Sequence, residues 1–335
     1  MDVANRTRGT LLELPMLDRD GRPTSAAIVK YTFRRTPAGH LALDRETPAE
    51  IHLADVPWDE AEPLGSARRP GQAYDEKPGT EVLLVGHAFT ATGATFVDVR
   101  LRAGPIDKTV RAHGLRAWQK GTFGGLAPGP ALPIREPVPL RWELAWGGTD
   151  ASDPKRAVSD PTNPLGRGLA IDLGALVDRP AAQLEDPAYP IGSRGQRAAC
   201  FGPTARHWQP RVGFAGTYDA AWQETRMPLL PTDFDPRFQI SAPADQWSLR
   251  RLQSDLEIAI TGTARIAAWS LRLPRIAVSV TKRAGTATST QEAALDTILI
   301  DSDNESVELT FRGAVAMPQK RDAIDELRIT DRWGA

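Results

Sequence analysis

The sequence predicts a mainly β protein. Antiparallel sheets form two β-sandwich-like portions, joined by an irregular, proline- and aromatic-rich middle with short helices. Three observations carry this. Runs of alternating apolar and polar residues cluster over 27–146 and again over 256–315. Such period-two alternation marks strands with one buried face. No long stretch has helical periodicity. Between the clusters, Phe201 to Phe238 holds five prolines and seven aromatic residues. Proline-rich linkers are poor in aromatics, because a chain that cannot bury apolar area stays disordered, so this stretch reads as an ordered band packed on regular structure.

Taken in order, Ala27–Arg34 places Val29, Tyr31 and Phe33 on one face and Lys30, Thr32 and Arg34 on the other, a half-buried strand. Residues 35–80 are polar and broken by many prolines and glycines, with a short strand expected near His40–Asp44. A connection this long is unusual and often functional. Glu81–Thr90 is almost continuously apolar, so both faces should be covered. Thr95–Ala103 turns Val97, Val99 and Leu101 inward, and Lys108–His113 continues the pattern after Gly104-Pro105. Val138–Trp146 reads as a further strand with Leu140, Trp142, Leu144 and Trp146 on one face. Residues 149–200 read as ordered loops.

Within the band, Thr217–Arg226 is expected to be a short helix capped by Thr217 and stopped by Pro228. Tyr218 and Trp222, four apart, would share a face. Strands resume over Leu256–Thr261, Trp269–Leu273 and Ile276–Val280. Leu295–Asp301 and Ser306–Arg312 flank Ser302-Asp303-Asn304-Glu305 as the clearest hairpin. The implied division is an N-terminal segment (1–26), one domain (27–316: strand-rich 27–148, central band 149–255, strand-rich 256–316) and a C-terminal tail or short helix (317–335) containing Ile324 and Leu327.

Composition narrows function. Forty-one basic residues against 42 acidic ones leave a net charge of −1, without the basic excess that nucleic-acid binding uses. Only seven of the basic residues are lysine; arginine suits planar contacts to carboxylates. Cys200 is the sole cysteine, so no intramolecular disulfide forms, and it reads as a small buried hydrophobe. No stretch is apolar enough for a signal peptide or a membrane helix. A cytoplasmic protein is expected, with neither nucleic acid nor membrane as partner.

No phosphate-binding loop, dinucleotide fingerprint, nucleophile elbow or zinc-protease motif is present. Ser152-Asp-Pro-Lys155 and Ser302-Asp303-Asn304 match two of the three penicillin-recognition motifs, but the third is missing and Pro154 is ill-suited to a helix. Asp301-x-Asp303-x-Glu305 has the spacing of a calcium loop yet lacks its glycine and its final glutamate; a solvated turn is expected. His87 shares a face with Leu83, Val85 and Phe89 and reads as a satisfied half-core histidine. No metal, cofactor or catalytic residue is expected. The best enzymatic alternative is a hydrolase using His207 with Asp233 or Asp235, although capping and nearby arginines account for both aspartates. A second alternative is a carbohydrate-binding sandwich using Trp142 and Trp146, which alternation places with core leucines.

Several phrases carry a resemblance: KPGTEVLLVGHA, VPLRWELAWGG, NPLGRG, FGPTARHWQPR, AGTYDAAWQETRMPLLPTDFDPRF and LDTILIDSDNESVELTFRGA. Over roughly residues 25–316 the chain resembles the bacterial domain of unknown function 2169 family, found beside type VI secretion genes. Residues 181–187 depart from its pattern, which bears only on local loop geometry. The resemblance implies a cytoplasmic, non-enzymatic adaptor or effector chaperone. It would bind a toxic effector, through the effector's N-terminal region, and assist loading onto a spike made of a valine–glycine-repeat protein and its PAAR-repeat tip. Interfaces favour Trp, Tyr and Arg anchors. The expected partner-binding residues are therefore those of the band: Trp208, Arg211, Tyr218, Trp222, Arg226, Phe234 and Arg237.

Overall fold

The computed structural model describes residues 1–121, 125–265, 268–319 and 324–334. The fold is mainly β, with ten strands in one large sheet and five in a second. The large sheet runs in the order Asp2–Arg6, Glu326–Trp333, Ile276–Ala284, Ala287–Asp301, Ser306–Ala316, Pro23–Arg35, Thr10–Leu17. Its first and last strands are joined by only Thr7–Gly9. At about 3.4 Å per residue that link cannot cross a flat seven-strand sheet, so the sheet curls until its ends approach. Contacts across the curl agree. Tyr31 and Trp333 rings meet edge-on at 5.6 Å, and the Tyr31 hydroxyl donates to Asp331 at 3.0 Å.

The sheets do not divide along the chain. Thr80–Val85, from the first strand cluster, pairs parallel with Thr297–Asp301 of the last one. In the second sheet, Phe96–Ala103 pairs on one side with Ile106–His113 and on the other with Glu257–Thr261, which is followed by Ala268–Arg272. Both strand clusters thus contribute to each sheet. One apolar core joins them, from Val29, Tyr31 and Phe33 through Val99, Leu101 and Val110 to Trp142, Phe201 and Trp208 of the loops.

Four local expectations are revised. The segment expected as a C-terminal tail or short helix contains instead the strand Glu326–Trp333, between Asp2–Arg6 and Ile276–Ala284. Residues 320–323 of that expectation lie outside the described residues. Leu327 and Ile329 alternate inward with period two, and the sheet edge offers hydrogen bonds that a lone helical turn cannot match. Residues 1–17 likewise supply two strands. Val138–Trp146 forms only Val138–Pro139, a turn of 3₁₀ helix at Trp142–Leu144 and Trp146–Gly147. Its apolar residues face the core, but Pro139 and the left-handed Gly147-Gly148 pair interrupt a ladder. The band's helix is shorter than expected, Ala220–Thr225, and its cap is Asp219, whose Oδ1 accepts from the Trp222 amide at 2.8 Å.

The fourth revision concerns the polar faces. Alternation gives Lys30 and Thr32 the outer face of a half-buried strand; both are buried, as are Glu308, Thr310 and Arg312 on the neighbouring strand. The long 45–80 connection lies over them. Arg69 bonds Glu308, Arg68 bonds Asp301, and Gln72 Nε2 donates to Thr310 Oγ1 at 2.8 Å. The Arg312 guanidinium sits 3.8 Å over the Tyr74 ring, pairs with Asp296 at 2.7 Å, and donates to the carbonyls of Gln72 and Tyr74. Asp296 occupies the bulge that shifts register between Leu295 and Thr297. The bulge leaves one residue unpaired to meet Arg312. A buried polar layer of this kind is stable when every group is bonded and costly when one is orphaned.

Candidate partner-binding surface

The central band is fastened to the large sheet by Glu81. This carboxylate is wholly buried on the face that also carries Leu83 and Val85. It accepts from Lys77 Nζ at 2.5 Å, from the Ser241 amide at 2.6 Å and hydroxyl at 3.0 Å, and from the Ala242 amide at 2.8 Å. Thr297 Oγ1 touches both Lys77 and Glu81. One residue thereby joins a strand, the covering loop and the band. Burial disfavours the Lys77 ammonium, but the adjacent Glu81 charge more than offsets this and raises its pKa. Beside the pair, Ile240 and Ala242 pack on Leu83, Val85 and Leu299.

The structure separates the seven expected partner residues into two groups. Trp208, Arg211 and Phe234 are interior. Trp208 is 2 % exposed, meets Trp142 edge-on at 5.8 Å, and its Nε1 donates to His207 Nε2 at 3.0 Å. Arg211 donates to the carbonyls of Phe238 and Thr204 at 2.9 and 2.5 Å, which closes the band on itself. Phe234 packs against Phe238.

Of the other four, Tyr218 and Arg237 are exposed and Trp222 and Arg226 half-buried. Tyr218 and Trp222 stack edge-on at 4.7 Å, and Trp222 Nε1 donates to the Leu229 carbonyl at 2.8 Å. Arg226 bonds the carbonyls of Leu230 and of Arg19, while Arg19 itself reaches the carbonyls of Thr232 and Phe234. The turn after the second strand thus clamps the band. Arg237 pairs with Asp235 and lies 4.3 Å over the Phe214 ring. The band's exposed apolar side chains form its outer ridge, and of them only Tyr218 is singled out by sequence: Val212, Tyr218, Met227 and Leu230 are 39, 53, 60 and 38 % exposed. The adjacent cis Met227-Pro228 and Gln209-Pro210 bonds lie in the same stretch.

The two alternative sites are not assembled by these residues. The His207 Nε2 lone pair is taken by Trp208. Asp233 accepts from the Thr217 amide and hydroxyl, and Asp235 caps the turn at Pro236–Gln239 and binds Arg237. Those bonds hold both carboxyls below their usual range, away from the value that acid–base work near neutrality uses. Trp142 is core, and its Nε1 donates to the Gly202 and Pro203 carbonyls; Trp146 packs with Trp118. Trp142 therefore offers no open stacking face.

His87 is satisfied as expected, with Nδ1 2.8 Å from Asp303 Oδ2 and Trp58 against its ring. The turn expected to be solvated is so only in part: Asn304 is exposed and Asp303 and Glu305 are half-buried, but Asp301 and Ser302 are buried, and Arg68, Arg69 and Asn304 hold the Asp301 carboxylate. Cys200 is buried, and loss of water pushes its thiol up to about 11. Among the described residues, no group of three or more metal-ligating side chains converges and no helix is long and apolar enough to cross a membrane.

The fold and surface define a mainly β protein with an internally fastened loop band that presents an exposed apolar ridge. A family model described as an uncharacterized protein conserved in bacteria, DUF2169, matches residues 20–312, and the chain belongs to that family. No curated protein and no solved structure matches it.

Proposed function

We propose that this protein is a non-enzymatic, cytoplasmic adaptor that binds a type VI secretion effector and assists its loading onto the spike. The observation that carries the reading is the ridge of Val212, Tyr218, Met227 and Leu230. A flexible loop would lose its binding energy to ordering; this one is ordered beforehand by Glu81, Arg211 and Arg226. Exposed apolar patches mark interaction sites, and tyrosine, tryptophan and arginine held rigidly there dominate association energy. The interior group, Trp208, Arg211 and Phe234, acts as support, and the outer group, Tyr218, Trp222, Arg226 and Arg237, frames the contact. The partner is the effector's N-terminal region, with the PAAR-repeat or valine–glycine-repeat protein joining the loaded complex.

Co-expression with the product of the neighbouring toxin gene tests this. A stable complex on size exclusion, and loss of effector from cells lacking this protein, are the expected results. Absence of both would end the adaptor reading.

A further inference from the structure

A second feature lies where the five-stranded sheet meets the band. Lys108 follows Ile106 and precedes Val110 in the inward register of its strand, a position where alternation calls for an apolar side chain. It is buried, and it opens on a cleft of about 600 Å³. The other two buried lysines among the described residues each make two hydrogen bonds: Lys30 to Glu308 and the Glu50 carbonyl, and Lys77 to Glu81 and Thr297. Lys108 makes one hydrogen bond among the described residues, to Asp245 at 2.8 Å, with the Phe201 ring 5.6 Å away. An ammonium has three donors, so two remain for a ligand.

The cleft's charges decide what ligand fits. Asp107, Asp186 and Asp245 line it against Lys108 and Arg197. Arg197 is already paired with Asp186, and Arg100 with Asp107. Lys108 is itself paired with Asp245, so an incoming anion meets no uncompensated positive charge; a neutral carbonyl oxygen meets an ammonium with spare donors. The remaining wall is built largely of alanines and prolines, including Pro243 and Ala244, whose short side chains let another main chain approach closely. Past Pro243-Ala244 lies a second pocket, about 230 Å³, with Phe214, Ile240 and Trp247 in its lining.

The geometry points to Lys108 as the anchor of a peptide cleft, its ammonium donating to a main-chain carbonyl of an extended neutral or basic segment whose apolar side chain enters the second pocket. The inference rests on the adaptor reading and names where the partner's extended segment sits.

The test pans a phage-displayed random dodecapeptide library on the full-length protein and measures affinities of the synthesised peptides for wild type, Lys108→Met and Ala244→Trp. Methionine is expected to fold, because Asp245 is half exposed and is not left as a buried charge; Ala244 is exposed, so tryptophan there blocks the cleft without entering the core. Thermal melts confirm that both variants fold. Neutral or basic peptides that bind at least ~10-fold more weakly to both variants are expected. No selected peptide, uniformly acidic peptides, or unchanged affinity for Lys108→Met would overturn the assignment. Effector co-purification that Lys108→Met does not weaken removes the cleft and leaves the adaptor reading. Lys108-dependent peptides without any effector complex remove the adaptor reading and leave the cleft.

Discussion

Replacing Glu81 with glutamine tests whether the band is part of the folded core or an appendage. The substitution keeps shape and size but removes the charge facing Lys77, both partners being buried. Breaking a buried pair by neutralising one partner costs about 3–5 kcal/mol. The charge on nearby Asp296 also acts on Lys77 and places the effect toward the lower end. The glutamine amide can serve only one of the two acceptor roles now played by the carboxylate oxygens. That puts the Ser241 and Ala242 amides at risk, at about 1–3 kcal/mol for each group left unbonded. A loss of at least ~3 kcal/mol is therefore expected in urea unfolding, with one cooperative transition. The double variant Lys77→Met/Glu81→Gln removes the stranded ammonium and should recover part of that loss, a coupling read from the double-mutant cycle. A change below about 1 kcal/mol, or a separate early transition for the band, would refute the reasoning.

Three further outcomes follow from the same contacts. Trp208→Ala should cost about 3–5 kcal/mol in urea unfolding, because the ring is core against Trp142; wild-type stability would return it to the surface. Acid should act through Glu185: burial raises its pKa, but the His113 hydrogen bond and the Arg116 charge outweigh this and hold it at about 2 against an ordinary 4.5. A carboxyl depressed in the folded state contributes stability above the unfolded value and loses it as pH falls, so about 3 kcal/mol should disappear between pH 4.5 and 2. Glu185→Gln should flatten that part of the stability–pH curve, and an unchanged slope contradicts the assignment. His207→Ala and Asp233→Ala should leave effector protection in cells intact, whereas its loss in folded variants would favour the hydrolase.

Much of the sheet structure was legible, because period-two alternation survives wherever one face is apolar. Thr80–Val85, Phe96–Ala103 and the hairpin around Asp303 sit close to where the pattern puts them. What alternation cannot show is what covers a polar face. Lys30, Thr32, Glu308 and Arg312 have the composition of a solvated surface, and the unusual length of the 35–80 connection was the one sign that it has a role, without showing that it lies over them. Non-local pairing was equally hidden: nothing local says that Thr80–Val85 runs parallel to Thr297–Asp301. In the band, sequence could not sort core residues from surface ones. Trp208 and Trp222 look alike as letters; the first is buried against Trp142, and the second is half-buried beside the exposed Tyr218 with its indole bonded to the Leu229 carbonyl. The exposed methionine and leucine of the ridge went unnoticed because apolar residues are ordinarily read as core.

The most direct measurement is the affinity of the purified effector for Tyr218→Ser/Met227→Ser compared with wild type, alongside thermal melts of both. Both side chains are more than half exposed, so the melts should coincide. Affinity should fall by about 2–4 kcal/mol, roughly 30- to 1,000-fold. Equal affinity with equal stability would contradict the claim that this ridge is where the partner is held.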